Sequence, residues 1–466
     1  MCRLARRLFV PVALLGAACA HGAAMGPQDA RLLLNRTGFD ATPAEVDAYA
    51  SLSRREAVEQ LLGGARSAAR TPLPAAVLAW TDPRTLRTMS PGERKAFGRE
   101  LRMRGLELKG WWLNEMVTTD SPLTERMTLF WHNHFTSSLQ KVRSPALMAR
   151  QNALLRRYAL GNFAALLHAV AKDPAMLVYL DTARSRRGEP NENFAREVME
   201  LFTLGEGHYG ERDVKEAARA YTGWSVDPAS GDYRWRPFLH DDGEKTVLGR
   251  SGNFDGDAVL DILLAQPASA EFVTAKLWRE FVSPDPDPGE VRRIASAFRA
   301  SGYEIRVALR ELLLSDAFWA AQSRASLVKS PVDLVVGTLR QFDVRYSDPL
   351  PFVLLLRNLG QDLFAPPNVR GWPGGQAWIN AQTLLARLQF LDRIFRVDES
   401  RMMARGNMVS VSFSGSDWLR SLQGRPLPQA AEQLLLPLPP AGERVSGAQG
   451  VDLIRAIVSD PVYQLR

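Results

Sequence analysis

Cysteine is almost absent from this chain of 466 residues, which contains only Cys2 and Cys19. Both lie in the first 20 residues, where early arginines precede an apolar stretch over residues 8–18 and an Ala-Cys-Ala cleavage pattern at residues 18–20. This order is typical of a secretory signal peptide, so we expect removal of residues 1–20 and export to the periplasm or the cell exterior. A lipid anchor on Cys19 is less favoured, because the residues before it form a poor lipid-attachment pattern. The mature chain would then hold no cysteine, which excludes disulfides and thiolate sites.

Long apolar runs and a strong charge imbalance are also missing. No later stretch approaches 18 uninterrupted apolar residues, so no transmembrane span is expected in the mature chain. The formal net charge of +7 includes three leader arginines, and without them the excess is about +4, with no basic block, which argues against a nucleic-acid partner. P-loop, nucleophile-elbow, His-Glu-x-x-His and cysteine-based zinc motifs are all missing.

Helix start signals, by contrast, are frequent along the whole chain. Capping boxes begin at Thr42, Ser53 and Ser90, and Ser330-Pro331 marks the start of a further helix. No alternation of strands and helices is visible. We therefore predict an all-α fold of roughly fifteen to eighteen helices, arranged as one large domain over residues 21–395.

Two segments depart from this helical pattern. Residues 230–250 hold an alternating Tyr-Arg-Trp-Arg run and an Asp-Gly turn, which predicts a small β-hairpin in which residues 245–248 return against the run. Residues 396–466 form a variable C-terminal segment. Within it, residues 400–448 are expected to be poorly structured or peripheral, and residues 451–458 should form a helix that docks back onto the domain.

The first candidate site lies in residues 122–136, an aromatic-rich stretch that contains His132, Asn133 and His134. Polar groups among large aromatics are costly to bury unless each finds a partner. On a helix, Glu125 and His132 share a face because they are seven residues apart. The two histidines would point the same way only if the helix ended near Trp131.

The second candidate cluster places Asn193, Glu197 and Glu200 on one helix face, followed by a glycine turn that could return His208 toward them. Two carboxylates and an imidazole fit a metal centre or an acid–base pair. The alternative is a solvated helix with surface salt bridges. The spacing does not match the Glu-x-x-His pattern of di-iron bundles.

Other polar or aromatic residues have both a structural and a functional interpretation. His240 and Lys245 either hydrogen-bond their own loop or rim a cleft. Trp372, in a Pro- and Gly-rich loop, either packs a rigid turn or offers a platform for a sugar ring or peptide. His168, in an apolar helix, is interpreted as a core histidine.

Several motifs together resemble one bacterial family, known as domain of unknown function 1800. They include Trp-His-Asn-His-Phe at residues 131–135 and Pro-Asn-Glu-Asn-Phe-Ala-Arg-Glu at residues 190–197, and the resemblance extends over residues 28–390. The other matching stretches are residues 31–39, 125–127, 199–205, 222–224, 240–245, 329–331 and 366–375. The resemblance implies an all-α, exported protein whose gene neighbours include an exported family similar to sulfatases and phosphatases. It implies no activity and no catalytic residue.

Two classes of function follow from these features. The first is a hydrolase with a cleft of His, Glu and Asn side chains, in which the two clusters meet at a floor rimmed by the His240 hairpin. Its predicted catalytic residues are His132, His134, Glu197 and Glu200. Its predicted substrate-binding residues are Asn133, Asn193, Arg126, His208, His240, Lys245 and Trp372.

The sequence names no cofactor, and the metal site that it allows is a divalent zinc, manganese or calcium-like ion on His132, His134 and Glu200. The second class of function is a non-catalytic partner or scaffold for another exported protein, such as a sulfatase- or phosphatase-like neighbour. Carbohydrate or peptide binding is a further alternative. In each case the expected partner is another exported protein or a cell-envelope substrate.

Overall fold

A computed structural model of the chain describes residues 22–396, 399–404, 407–422, 424–442 and 447–466. The expected signal peptide, residues 1–20, lies outside these described residues. Most of the described chain is helical, which confirms the predicted all-α class, with a few short antiparallel strand pairs beside the helices. The helices outnumber the fifteen to eighteen predicted, because several are only one turn long.

The described residues form 23 α-helices. The first twelve are α1 Gly26–Thr37, α2 Pro43–Ala50, α3 Arg54–Gly63, α4 Ala75–Leu78, α5 Pro91–Thr118, α6 Pro122–His134, α7 Leu139–Val142, α8 Pro145–Arg157, α9 Phe163–Ala171, α10 Pro174–Tyr179, α11 Asn193–Glu197 and α12 Glu211–Ala220. The others are α13 Gly256–Ala265, α14 Pro267–Phe281, α15 Pro288–Ala300, α16 Ile305–Leu313, α17 Asp316–Trp319, α18 Pro331–Gln341, α19 Leu350–Asn358, α20 Ala381–Phe395, α21 Gly415–Arg420, α22 Leu427–Leu435 and α23 Gly450–Val458. A π-helix, Val198–Thr203, continues α11 directly.

The predicted helix starts are present where the sequence places them. At α3, for example, the Ser53 hydroxyl accepts from the Glu56 amide at 3.3 Å, and the Glu56 carboxylate accepts from the Ser53 amide at 2.9 Å. These reciprocal bonds satisfy amide groups that the first helical turn leaves without partners. The same box begins α2, α5 and α18.

Seven strands form three small antiparallel sheets among the described residues. They are β1 Trp224–Val226, β2 Tyr233–Trp235, β3 Lys245–Val247, β4 Arg250–Gly252, β5 Arg345–Tyr346, β6 Glu399–Ala404 and β7 Asn407–Ser412. The sheets pair as β1-β2, β3-β4 and β5-β7-β6.

The hairpin predicted around residues 230–250 is present as two hairpins with different partners from those expected. Tyr233 pairs with Val226 in the first hairpin, and Lys245 pairs with Gly252 in the second. The second hairpin closes through Leu248 and Gly249, both with positive φ (47° and 76°), as a tight two-residue turn requires. The strands therefore pair within two local hairpins. The longer connection that the Asp-Gly turn predicted, from the Tyr-Arg-Trp-Arg run to residues 245–248, is not formed.

The C-terminal segment is more ordered than expected. Its described parts form β6, β7, α21 and α22, and Val409, Phe413 and Trp418 are buried. The predicted docking helix is present as α23, which packs against α20. Residues 405–406, 423 and 443–446 of the stretch expected to be peripheral lie outside the described residues.

The functional region is organised around α6, in which Met127 and Trp131 are fully buried. It packs against α8, α5 and α1. Across the part of the chain that the structure describes, no single helix is long and apolar enough to cross a membrane, although α13 and α14, bent by 76° at their junction, meet that length and composition together.

Candidate active site

One face of α6 belongs to the core. The helix continues through His134, so His132 and His134 point in different directions. Glu125 and His132 do share a face, and both contact Trp112: its indole nitrogen donates to Glu125 at 2.9 Å, and its ring lies 5.6 Å from that of His132. Glu125 is neutralised by Arg156, which donates to its two carboxylate oxygens at 2.5 and 2.8 Å.

His132 itself occupies an aromatic cage. Its ring centroid lies 5.6 Å from Trp112, 5.4 Å from Phe364 and 5.6 Å from Trp372. Burial without a charged partner lowers the pKa of His132 to about 3, because the cage cannot solvate an imidazolium. His132 is therefore a neutral core residue, set apart from the cleft described next.

The opposite face of α6 lines a cleft of about 420 Å³. Arg126, Leu129, Phe130 and Asn133 follow helical spacing along that face. The remaining walls come from α14, the start of α18, the loop of residues 366–375 and Arg466. Four of the residues predicted from the sequence thus reach one cavity: Arg126, Asn133, His134 and Trp372.

His134 is held between the end of the π-helix and α14. Its Nε2 lies 3.1 Å from the Phe202 carbonyl oxygen, and Lys276 Nζ lies 3.2 Å from its Nδ1. Lys276 also donates to the Leu201 carbonyl at 2.9 Å. Because a carbonyl can only accept, Nε2 carries the hydrogen and Nδ1 accepts from Lys276. These carbonyls belong to the last turn of the π-helix, where helix carbonyls lack partners within the helix.

Lys276 has a strongly shifted pKa. Burial, reinforced by the nearby positive charge of Arg279, lowers the pKa of Lys276 to about 7. Burial, and then the charge of Lys276, also holds the pKa of His134 well below its usual range. A neutral Lys276 would commit its two hydrogens to Leu201 and His134, which leaves its lone pair uncommitted.

Sequence reasoning missed Lys276. It follows Ala275 and precedes Leu277 on an amphipathic helix, where a lysine usually has its charge in water. No motif or spacing distinguishes it from the other lysines of the chain. Only the tertiary contacts to His134 and Leu201 identify it.

A charged network forms one wall of the cleft. Arg126 donates to the Asp333 carboxylate and to the Gly38 carbonyl, and lies 3.3 Å from Glu280. Arg466 contacts the same two carboxylates, at 3.0 Å from Glu280 and 3.3 Å from Asp333. Burial alone would raise the pKa of Asp333, but Arg126 and Arg466 outweigh it and hold that pKa well below its usual range.

The loop of residues 366–375 forms another wall of the cleft. The Trp372 amide donates to Asn133 Oδ1 at 2.7 Å, which fixes the loop to α6. Gly371 has a φ of +85°, and a Cβ there would lie 2.2 Å from Asn133 Oδ1, so only glycine fits. Arg370 extends outward to Glu200 at 2.7 Å and Glu206 at 3.2 Å.

The two predicted clusters, on α6 and on α11 with its π-helix, therefore approach each other. They do not meet through the predicted pairs of histidine or arginine with glutamate. His134 meets the second cluster through backbone carbonyls, and Glu200 binds Arg370 and the Tyr209 hydroxyl rather than a histidine. Glu197 is half-buried beside Glu200, and burial followed by that neighbouring charge raises its pKa. Neither carboxylate lines the cleft.

The remaining predicted residues lie elsewhere. Asn193 and His208 are exposed. His240 Nδ1 donates to the Thr222 carbonyl at 3.0 Å, and Lys245 donates to the carbonyls of Asp241 and Gly243. These bonds organise the loop before β3, which does not rim the cleft. His168 is partly exposed, and its two ring nitrogens contact the carboxylates of Asp257 and Asp261. This histidine is therefore not a core residue.

The predicted metal set does not converge. Within the described ranges, no three His, Cys, Asp or Glu side chains are grouped so that they could hold a metal ion. His132 is caged by aromatic rings, both nitrogens of His134 are engaged, and Glu200 is paired with Arg370. The residues proposed from the sequence therefore do not fit a shared ion.

Comparison with known proteins identifies the family. No curated protein and no solved structure matches the chain. The family described as "Protein of unknown function (DUF1800)" matches residues 32–465, and so continues well beyond residue 390, where the resemblance was expected to end. Because this match spans nearly the whole sequence, the chain belongs to the DUF1800 family.

Proposed function

We propose that the protein is a hydrolase in which Lys276 acts as the general base. One observation carries this proposal: Lys276 borders the cleft while Leu201 and His134 occupy both hydrogens that its neutral form can donate. Its lone pair can then accept a proton from a molecule in the cleft. With a pKa of about 7, a large share of Lys276 is neutral near neutral pH, as general-base catalysis requires.

The proposed step uses water as the nucleophile. Lys276 takes a proton from water, and the resulting oxygen attacks the electrophilic centre of the substrate. As the bond to the leaving group breaks, the ammonium of Lys276 returns its proton to the leaving oxygen or nitrogen. The lysine ends the cycle neutral, and one water is consumed for each bond broken.

His134 is a positioning residue in this scheme. Its Nδ1 accepts from Lys276, so it directs the amine, while its buried ring stays neutral. Asn133 has a comparable supporting role, because it fixes the loop that carries Trp372. Neither residue needs to exchange a proton with the substrate.

The proposed setting of this activity is outside the cytoplasm. The N-terminal pattern of residues 1–20 supports export, and the substrate would then be a component of the cell envelope or of an exported partner. N-terminal sequencing of the secreted protein should begin within a few residues of His21. A cytoplasmic product that retains Met1 would contradict export.

The test of the activity is a screen of esters, phosphates, sulfates and glycosides with the wild type and Lys276→Met. Lys95→Met serves as the control, because Lys95 is exposed on α5. We expect turnover that rises through about pH 7 with Lys276 deprotonation, that is lost in Lys276→Met and that is kept in Lys95→Met. Equal turnover by wild type and Lys276→Met would refute the role of Lys276.

A further inference from the structure

The cleft has an unbalanced charge. Two carboxylates face four arginines around its wall, in addition to Lys276. The carboxylates are Glu280 and Asp333, and the arginines are Arg126, Arg279, Arg370 and Arg466.

Most of these cations already have a carboxylate partner. Arg126 and Arg466 share Glu280 and Asp333, as described above. Arg370 is paired from outside the cleft with Glu200 and Glu206.

Arg279 is different. It is exposed, it lines the cleft, and it has no hydrogen bond or ion pair with any residue that the structure describes. Its guanidinium is therefore free to bind a ligand. A guanidinium presents paired donors that match the oxygens of a phosphate, sulfate or carboxylate.

Arg279 also lies close to the proposed base. It follows Lys276 by three residues on α14, so the two side chains share one face of the helix, one turn apart. Their mutual repulsion contributes to the low pKa of Lys276. An anion bound to Arg279 would offset this repulsion, so the ligand and the base are electrostatically coupled.

Much of the remaining cleft wall is apolar. Phe130, Trp372 and Trp378 border the cleft together with Pro373. A volume of about 420 Å³ lies within the range of small-molecule sites. An organic body therefore fits beside the charged end better than an inorganic ion alone.

We propose that the substrate is a small organic molecule carrying an oxyanion, which binds Arg279 and places the reacting bond beside Lys276. This inference rests on the proposed hydrolase function. The oxyanion is a phosphate, a sulfate or a carboxylate, since all three match the same guanidinium.

Titration calorimetry tests the anion site with inorganic phosphate, sulfate and acetate as separate probes. The variants are Arg279→Gln and the control Arg292→Gln. Arg292 lies on α15, is also exposed, and has no hydrogen bond or ion pair with any residue in the described ranges. We expect Arg279→Gln to weaken binding of the preferred probe by about tenfold or more, the scale of a charged hydrogen bond, and the control to leave it unchanged. The probe that binds most tightly identifies the oxyanion. Equal binding by wild type and Arg279→Gln would overturn the inference.

A second readout separates this inference from the proposed function. Carbon-13 NMR of the Lys276 Cε follows the protonation of the amine with and without phosphate. A pKa near 7 that rises on adding phosphate, in the wild type but not in Arg279→Gln, supports both proposals. A pKa near 7 that phosphate leaves unchanged overturns the anion inference alone. A pKa near that of free lysine overturns the base, whereas calorimetry still decides the anion site.

Discussion

Replacing Lys276 by methionine should stabilise the protein at low pH while abolishing its activity. Methionine keeps much of the length of the side chain but removes the charge that burial penalises. The lowering of the Lys276 pKa from 10.5 to about 7 corresponds to an upper bound of about 5 kcal/mol at 1.36 kcal/mol per pKa unit. Partial exposure reduces this figure. The variant also loses the hydrogen bonds to Leu201 and His134, which lowers its stability by about 2 kcal/mol. The free energy of unfolding of Lys276→Met should therefore exceed that of the wild type by about 1 to 2 kcal/mol at pH 6.

The pH dependence gives the sharper form of this prediction. In the unfolded chain Lys276 keeps its proton up to about its ordinary pKa of 10.5, whereas in the folded protein it releases the proton near 7. Between these values the unfolded state binds more protons, so this residue makes the wild type more stable as pH rises. The methionine variant lacks that contribution. Its advantage should shrink above pH 7 and reverse by about pH 10, because only the lost hydrogen bonds then remain.

Urea unfolding of the wild type and Lys276→Met at pH 6, 8 and 10, followed by far-ultraviolet circular dichroism, measures this difference. Lys95→Met should show no comparable swing, because Lys95 is exposed. Lys276→Arg keeps a permanent charge and should be inactive without being stabilised. A free-energy difference between wild type and Lys276→Met that is constant from pH 6 to pH 10 would refute the reasoning.

Three further substitutions test the walls of the cleft. Asp333→Asn should lower the free energy of urea unfolding by about 3 to 5 kcal/mol, because it removes the more buried of the two carboxylates that Arg126 and Arg466 share. A loss below about 1 kcal/mol would show that the network is not stabilising. Gly371→Ala should lower the melting temperature more than Gly374→Ala, since both glycines have positive φ but only Gly371 leaves no space for a Cβ, beside Asn133; equal shifts would contradict that packing. Glu200→Gln should cost about 1 kcal/mol or less, because its partner Arg370 is largely exposed to solvent, and should retain most of the activity. Complete loss of activity with intact folding would indicate that this carboxylate is catalytic.

Local features of the fold could be read from the sequence. The capping boxes at Ser53 and Ser90 need only residues three positions apart, so they specify helix starts without tertiary information. Strand pairing was less predictable. The partner of Tyr233 is Val226 rather than a residue after Asp242, because each strand of this region pairs with its neighbour across a short local connection.

The site was predictable only in part, because several of its contacts join residues that are far apart in the sequence. Asn133 and His134 could be predicted as site residues because polar groups within a buried aromatic run must find partners. Which partners they find depends on tertiary packing. Glu125 pairs with Arg156 of α8, and His134 with Lys276 of α14, and no spacing in the sequence encodes either contact.

Titration of Lys276 in the protein without added ligand tests the central claim most directly. The lysine Cε resonance, assigned by its disappearance in Lys276→Met, should report a midpoint near pH 7. That result would establish a lysine that is substantially neutral at physiological pH in the cleft. A midpoint near 10.5, the ordinary value for lysine, would contradict the account.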